Sequence, residues 1–141
     1  MKWYFASRTR HTEKLKEIAR FLESKGETFS SDWIYEGNLK PFIENLIPSQ
    51  ALADRCLVNI LNSDIFIVFN DLDGTDLFTE LGICLANNKL NEKKIKIYSV
   101  GKYDQASLMQ LHAGVEHLET LKQVFDKEGI NYGDFVFPEF D

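Results

Sequence analysis

Clusters of basic residues are missing from this sequence of 141 residues, in which 22 acidic residues outnumber 16 lysines and arginines. No cluster of lysine and arginine exceeds a pair, and the formal net charge is -6 at pH 7. Proteins that bind DNA or RNA need a basic surface that neutralises phosphates. The sequence therefore argues against polymeric nucleic acid as a partner, although it is compatible with a small anionic ligand in a local pocket.

Long apolar runs and a cysteine framework are also missing. No hydrophobic stretch approaches the ~18 residues of a membrane-spanning helix, and the first ten residues lack the apolar core of a secretion signal. The two cysteines, Cys56 and Cys84, fall in apolar helical patterns, which favours buried, reduced thiols over a disulfide. We expect a cytoplasmic protein that does not associate with membranes.

The motifs that hold common cofactors and metals are absent as well. The loop ASRTRHT after the first predicted strand contains no glycine, whereas dinucleotide and flavin sites use a glycine-rich turn there. The sequence has no Walker motif, and its histidines and cysteines do not follow a zinc-ligand spacing. We therefore expect no metal and no organic cofactor.

Hydrophobic periodicity predicts strands that alternate with helices. This order implies a flavodoxin-like, three-layer α/β sandwich around a five-stranded, mostly parallel sheet. Residues 1–129 are predicted to form one domain, and the aromatic tail 130–141 to pack on it or on a neighbouring subunit. The predicted strands are 2–6, 28–31, 66–69, 94–100 and 115–118, and the predicted helices are 12–25, 49–62, 77–86, 105–112 and 120–128.

The segment 32–48 is irregular and rich in aromatic residues, including Trp33 and Tyr35. Such a segment is typical of a lid or a wall of a pocket, and Trp33 is a candidate ligand contact for that reason. A surface loop with a hydrophobic anchor is an equally good interpretation. The sequence leaves both open.

A buried strand, an acidic turn and a helix follow one another between residues 64 and 86. Positions 66–69 are apolar throughout, as in a strand covered on both faces, and NDLDGTD is a dense run of turn formers. This order predicts that Glu80 lies in the first turn of the helix, at the carboxyl end of a parallel strand, where open α/β sheets bind ligands. Glu80 is therefore a candidate reactive group, although the helix dipole alone also favours a glutamate there.

Several segments together resemble the nucleoside 2-deoxyribosyltransferase family, which includes nucleotide N-glycosidases. Tyr4 lies in MKWYFASRTR, the central strand reads SDIFIVF, and Glu80 lies in TELGICLA, where ELG is the sharpest match. The segment ASLMQL, with Ser107 and Met109, resembles the family segment whose serine reaches toward a ligand phosphate in a neighbouring subunit. The dipeptide DW with Trp33 resembles the second strand of small bacterial members.

The resemblance implies an enzyme in which Glu80 attacks the anomeric carbon of a (deoxy)nucleoside or its 5′-monophosphate. The base leaves, a covalent sugar–enzyme intermediate forms, and water or a second base resolves it. Tyr4 would orient the carboxylate, and Asp71 or Asp73 would protonate or bind the base. The resemblance also implies a homodimer or a larger homo-oligomer and no cofactor.

Two helix positions differ from the family pattern. When Asp64 and Glu80 are aligned, Cys56 takes the place of a helix aspartate, and Asn59, one turn further on, is a candidate for a neutral hydrogen bond to the ligand. Asp76 stands where the family has a glycine. An aspartate there would cap the helix but repel a phosphate.

The two loops that flank the expected site supply the remaining candidate contacts. Gly74 and Thr75 are interpreted as the family's glycine turn, shifted by an insertion. Ser7 and Arg8 fall at the phosphate-facing position after the first strand, where the Arg8 guanidinium would suit an anion.

Three functions therefore compete at this stage. The first is a deoxyribosyltransferase or nucleotide N-glycosidase with Glu80 as its nucleophile. The second is a protein that binds a nucleotide or a nucleotide signal in the same pocket without turnover, which the residues Cys56 and Asp76 favour. The third is an interaction domain that uses its aromatic tail.

Overall fold

A five-stranded parallel sheet lies at the centre of the structure, a computed structural model that describes residues 1–140. The sheet order is β2-β1-β3-β4-β5, and every neighbouring pair is parallel. This is the strand order of flavodoxin-like folds, so the predicted fold class is confirmed. The strands are β1 (Lys2–Ala6), β2 (Thr28–Phe29), β3 (Ile65–Phe69), β4 (Lys96–Val100) and β5 (Val115–Leu118).

Helices cover both faces of this sheet, as parallel strands joined by crossovers require. Single turns of 3-10 helix cover Thr9–His11, Asp32–Tyr35, Phe42–Asn45 and Leu108–Leu111. The four α-helices are α1 (Thr12–Ser24), α2 (Leu46–Leu61), α3 (Asp76–Leu90) and α4 (Leu121–Glu128).

Side chains of β1 and β3 alternate between two apolar cores, one on each face of the sheet. Trp3 and Phe5 point into the core beneath α1 and α4, whereas Tyr4 points into the core beneath α2 and α3. All five residues of β3 are buried, which explains its uninterrupted run of apolar residues. The alternation therefore directs Tyr4 to the α2–α3 side.

The start of α2 differs from the prediction. The helix begins at Leu46, so the prediction that Ser49 is its N-cap is wrong. Pro48 is tolerated inside the first turn because the backbone N–H groups there have no partner within the helix. The Ser49 hydroxyl instead donates to the carbonyl oxygen of Phe42 at 3.3 Å.

The start of α3 also differs. Thr75 is the N-cap residue, without a side-chain capping bond, so the prediction that Asp76 caps the helix is wrong. Asp76 is the first helical residue and Glu80 the fifth, which places Glu80 in the second turn instead of the first. The prediction of a helix over 105–112 is wrong, since only a single 3-10 turn is present at Leu108–Leu111. Ser107 is its N-cap and forms a capping box with Gln110.

The aromatic tail packs against the core beneath α1 and α4. Phe135 stacks on Phe21 and Phe140 stacks on Phe69, each with ring centroids 4.1 Å apart. Ile130, Tyr132 and Phe137 join the same core. The division of the chain at residue 129 stays a prediction, and Asp141 lies outside the described residues.

Replacing Phe137 with alanine should lower the free energy of unfolding by about 2 kcal/mol, because a half-buried ring is lost from the core. Its ring contacts Phe125, Tyr132 and Phe135 with centroids 5.1 to 5.3 Å apart. Val136→Ala is the matched control: this neighbour is 82% exposed, and its loss should cost less than about 0.5 kcal/mol. Urea unfolding of the full chain measures both, and equal losses would contradict the packing described.

Candidate active site

A cavity of about 890 Å³ opens between α2, α3, the loop after β1 and the segment 33–42. Its volume lies within the range of small-molecule sites, and its walls are mostly apolar. Its lining residues are Ser7, Thr9, Thr12, Trp33, Glu36, Gly37, Asn38, Leu39, Lys40, Phe42, Ser49, Gln50, Leu52, Ala53, Cys56, Leu57, Ile60, Asp76, Thr79, Glu80 and Ile83.

The irregular segment after β2 forms one wall of this cavity. Trp33 is anchored to the sheet, since its indole N–H donates to the carbonyl oxygen of Phe5 at 3.0 Å. Arg55 on α2 forms ion pairs with two acidic residues of the segment. Its Nε lies 3.4 Å from Oδ2 of Asp32, and its Nη2 pairs with Oε1 of Glu36. Of the two interpretations that the sequence left open, the lining supports a pocket wall.

Glu80 lies on the side of α3 that faces the cavity. The helix buries Leu77, Leu81 and Cys84 against the sheet, and Glu80 occupies the flank beside them together with Thr79 and Ile83. Oε2 of Glu80 is buried and has no hydrogen-bond partner. A buried carboxyl oxygen without a partner, on a residue that lines a cavity, marks Glu80 as a candidate functional group.

The pKa of Glu80 is raised from an ordinary 4.5 to about 8. Burial is the main cause, because a low-dielectric environment disfavours the charged form. The nearby Tyr4 hydroxyl opposes the rise, and the negative charge of Asp76 adds to it. At neutral pH Glu80 is therefore largely a neutral acid.

Tyr4 lies behind the cavity wall, with its hydroxyl directed to Glu80 and Cys56. The ring stacks on Phe66 at 5.8 Å, and burial, followed by the charge of Glu80, raises the Tyr4 pKa far above its usual value. The hydroxyl is buried and makes no hydrogen bond of good geometry, although it is close enough to affect the pKa of both neighbours. Tyr4 is therefore a neutral donor held next to the carboxyl.

Cys56 on α2 is the third member of this group. Its thiol is half-buried, and burial raises its pKa to about 11, so that it stays protonated at neutral pH. Cys84 is fully buried, and burial likewise raises its pKa. Both cysteines are free, as the sequence predicts. A thiol with such a pKa supplies a weak neutral donor and not a nucleophile.

Asp71 and Asp73 lie in the turn after β3 and outside the cavity lining. Asp71 is only 6% exposed. Its Oδ2 accepts from Nη2 of Arg10 at 2.6 Å, and its Oδ1 lies 3.9 Å from Nη1 of Arg8 and accepts from the backbone N–H of Asp73 at 3.0 Å. Asp71 thus holds the turn together, whereas Asp73 is exposed to solvent.

The turn between β3 and α3 requires a glycine at position 74. Its φ is +122°, and an added Cβ would lie 2.7 Å from a side-chain carbon of Leu77 and 3.1 Å from one of Arg8. The glycine therefore lets the turn pack against α3 and the loop after β1. Gly74 and Thr75 support the site from outside its lining.

The other predicted ligand contacts divide into two groups. Ser7, Trp33 and Asp76 line the cavity, whereas Asn59 lies on α2 away from the lining positions. Ser107 and Met109 lie in and beside the 3-10 turn after β4, also outside the cavity, where the Ser107 hydroxyl accepts from the Met109 N–H at 3.4 Å. A contact of these two with a neighbouring subunit's ligand stays a prediction.

Sequence reasoning missed several lining residues. Ile83 lies three residues after Glu80 and four after Thr79, so helical spacing could have placed these residues along one side of α3. Lys40 and Glu36 line the cavity because the irregular segment that carries them folds along one side of it. Asp32 does not line the cavity, but it has one buried oxygen, Oδ1, without a partner and lies near Cys56.

The fold of this chain is similar to that of a solved structure, whereas its sequence matches no known family. No protein-family model and no curated protein matches this sequence. Among solved structures, the CMP N-glycosidase BcmB of Clostridium botulinum is similar, with a TM-score of 0.59 over 92% of this chain and 98% of that chain. The sequences are 18% identical, so the similarity shows a shared fold.

None of the helices within residues 1–140 combines the length and the apolar character needed to span a bilayer. Over the same residues, no group of three histidine, cysteine or acidic side chains is arranged to hold a metal ion.

Glu80 should make the stability of the protein depend on pH. The folded chain keeps a proton on Glu80 up to about pH 8, whereas the unfolded chain releases it near pH 4.5. Stability should therefore fall as pH rises between these values, by on the order of a few kcal/mol at about 1.4 kcal/mol per pH unit.

The variant Glu80→Gln isolates this effect. Its free energy of unfolding, relative to the unmodified protein, should rise from pH 5 to pH 8 and then level off, since glutamine does not titrate. Glu17→Gln on the exposed side of α1 is the control and should show no such trend. Denaturant unfolding at several pH values measures the difference, and parallel pH profiles for Glu80→Gln and the unmodified protein would contradict the burial described.

Proposed function

We propose that this protein cleaves or exchanges the N-glycosidic bond of a (deoxy)nucleoside or of its 5′-monophosphate, with Glu80 as the nucleophile. The observation that carries this proposal is the buried oxygen Oε2 of Glu80, which has no partner and belongs to a residue that lines a ligand-sized cavity. The fold neighbour, by its name a CMP N-glycosidase, supports the type of bond. The resemblance of ELG and its surroundings to nucleoside 2-deoxyribosyltransferases supports the same reaction class.

The proposed reaction has two displacements at the anomeric carbon. An oxygen of the Glu80 carboxylate bonds to this carbon while the bond to the base breaks, and the base takes the electron pair and a proton. Water or a second base then attacks the same carbon, its proton passes to the acid that protonated the first base, and the Glu80 carboxylate is released. The carboxylate also stabilises the positive charge that develops on the sugar in both transition states.

The reaction needs the ionised form of Glu80. Because its pKa is about 8, kcat/KM should rise with pH up to that value. Tyr4 is proposed as a positioning residue, whose neutral hydroxyl donates to the carboxylate and holds it toward the sugar. The acid that assists the departing base is proposed to be Asp71 or Asp73, of which only Asp73 is free of the arginine pairs.

Glu80→Gln should reduce base release by at least a thousandfold, since an amide neither attacks the sugar nor stabilises its charge. Tyr4→Phe should reduce it by about tenfold to a hundredfold, a range typical of a lost orienting donor, and should shift the pH profile of kcat/KM. Chromatography detects free or exchanged base from deoxynucleosides and their 5′-monophosphates, with and without an acceptor base. Glu17→Gln is the control and should release base at the rate of the unmodified protein. Undiminished release of base by Glu80→Gln would contradict the assignment of Glu80 as the nucleophile.

A binding role without turnover is the second candidate. The observation that favours it is that Cys56 and Glu80 are both largely neutral at pH 7. Nucleosides or nucleotides would then raise the melting temperature of the protein and of Glu80→Gln alike, without release of base. Stabilisation accompanied by base release would instead identify the enzyme.

The protein is also proposed to form a homodimer or a larger homo-oligomer. Large apolar side chains are exposed along α2 and the 3-10 turn before it, namely Phe42, Ile43, Leu46, Ile47, Leu57, Val58 and Leu61. A patch of this kind is typical of an interface. In such an assembly Ser107 and Met109 of a neighbouring subunit would approach the cavity, as the family resemblance implies.

Ile47→Glu should convert this assembly to monomers, because Ile47 is 79% exposed in the single chain and its replacement would bury a charge in the interface. Light scattering on a sizing column measures the mass. Val136→Glu is the control, at an equally exposed apolar position on the tail, and should leave the mass unchanged. A monomeric unmodified protein at all concentrations would contradict the proposal.

A further inference from the structure

We infer that Phe140 in the aromatic tail is a positioning residue for the cavity. Its ring lies behind the loop between β1 and α1 and holds that loop in the place where Ser7, Thr9 and Thr12 line the cavity. The inference rests on the proposed function for its effect on base release, and it deepens that function because it gives the tail a part in shaping the site.

The loop between β1 and α1 has one side toward the cavity and one side toward the tail. Ser7, Thr9 and Thr12 lie in the cavity lining, whereas His11 is buried and contacts Phe140 with ring centroids 5.1 Å apart. The regular structure of the loop is a single 3-10 turn without a side-chain cap. A segment with so few hydrogen bonds of its own depends on its neighbours for its position.

Phe140 joins this loop to the carboxyl end of β3. Its ring stacks on Phe69, the last residue of that strand, with centroids 4.1 Å apart and planes 14° apart. Phe69 is buried in the core beneath α1 and α4. The same Phe140 ring makes the edge-to-face contact with His11. A strand of the central sheet therefore supports the loop through one aromatic side chain.

The first turn of α1 holds the tail beside the loop. Nζ of Lys14 donates to the carbonyl oxygen of Glu139 and lies 5.7 Å from the ring centroid of Phe140. A cation at this distance is attracted to the face of an aromatic ring. Phe140 is thus held from α1 as well as from β3.

A polar contact connects the same loop to the segment after β3. Nη2 of Arg10 lies 2.6 Å from Oδ2 of Asp71, and Nη1 of Arg8 lies 3.9 Å from Oδ1. The Arg10 side chain is half-exposed, and water and salt weaken ion pairs of exposed groups. Since the apolar contact through Phe140 is not screened in this way, its loss should displace the loop even while the ion pair remains.

The tail also contains a matched control. Phe135 stacks on Phe21 with centroids 4.1 Å apart, the same separation as between Phe140 and Phe69. The Phe135 ring also contacts Phe137. Neither Phe21 nor Phe137 lines the cavity. Phe135→Ala therefore removes a comparable ring from the same core at a place away from the loop.

The test compares base release by Phe140→Ala and Phe135→Ala at pH 8, from deoxycytidine, deoxyadenosine and their 5′-monophosphates. Phe140→Ala should lower kcat/KM at least about tenfold, mainly through a higher KM, because small displacements of contacting groups are costly. Phe135→Ala should change kcat/KM less than about twofold, although urea unfolding should show a loss of stability in both variants. Equal effects of the two variants on kcat/KM, or an unchanged kcat/KM in Phe140→Ala, would overturn the inference and leave the proposed function intact.

Phe140→Leu and Phe135→Leu form a milder pair, which decides the question if Phe140→Ala does not fold. Leucine keeps an apolar side chain in the core but loses the ring stacking. Phe140→Leu should lower kcat/KM at least about threefold, and Phe135→Leu should leave it unchanged. The same kcat/KM in both leucine variants would contradict the positioning role.

Amide hydrogen exchange distinguishes a failure of this inference from a failure of the proposed function. It follows the loop directly and needs neither a substrate nor turnover. Residues 7–12 should exchange at least about tenfold faster in Phe140→Ala than in Phe135→Ala, while β4 exchanges alike in both. If no base is released from any of the substrates, the proposed function is overturned and the exchange decides the inference. Equal exchange of residues 7–12 in the two variants would then overturn the inference as well.

Discussion

Burial of β1 and β3 on both faces is the constraint on which the rest of the structure depends. Since their side chains alternate between two apolar cores, one face of β1 must carry Tyr4 into the seam beneath α2 and α3. The same seam receives the flank of α3 that carries Glu80. A tyrosine hydroxyl, a thiol and a carboxyl thus meet among apolar side chains, and burial raises the pKa of all three.

This arrangement lowers the stability of the protein at pH values where Glu80 must ionise. A carboxyl whose Oε2 lacks a hydrogen-bond partner costs free energy when it ionises, and a ligand with a developing positive charge would recover part of that cost. Asp71 shows the opposite solution, since two arginines face its buried carboxylate. The contrast between these two acids, one compensated and one not, distinguishes a structural carboxylate from a candidate catalytic one.

The cavity depends on a wall that has little regular structure of its own. Trp33 is tied to β1 through its indole N–H, and Arg55 joins α2 to both ends of the first 3-10 turn of the wall through Asp32 and Glu36. These contacts connect three elements that are distant in sequence. The shape of the cavity therefore depends on contacts among these three elements.

The sequence by itself determined the fold class and the bounds of β1 and β5, because periodicity and turn residues are local signals. It also named Glu80 as a candidate, and the structure places this residue in the lining of the cavity. It misjudged the starts of α2 and α3, where Pro48 and Asp76 fit more than one helix position. Only the tertiary structure decided that Asp71 faces Arg8 and Arg10, that Lys40 and Glu36 line the cavity, and that Oε2 of Glu80 lacks a hydrogen-bond partner. Each of these depends on contacts between segments far apart in the chain, and no local pattern encodes such contacts.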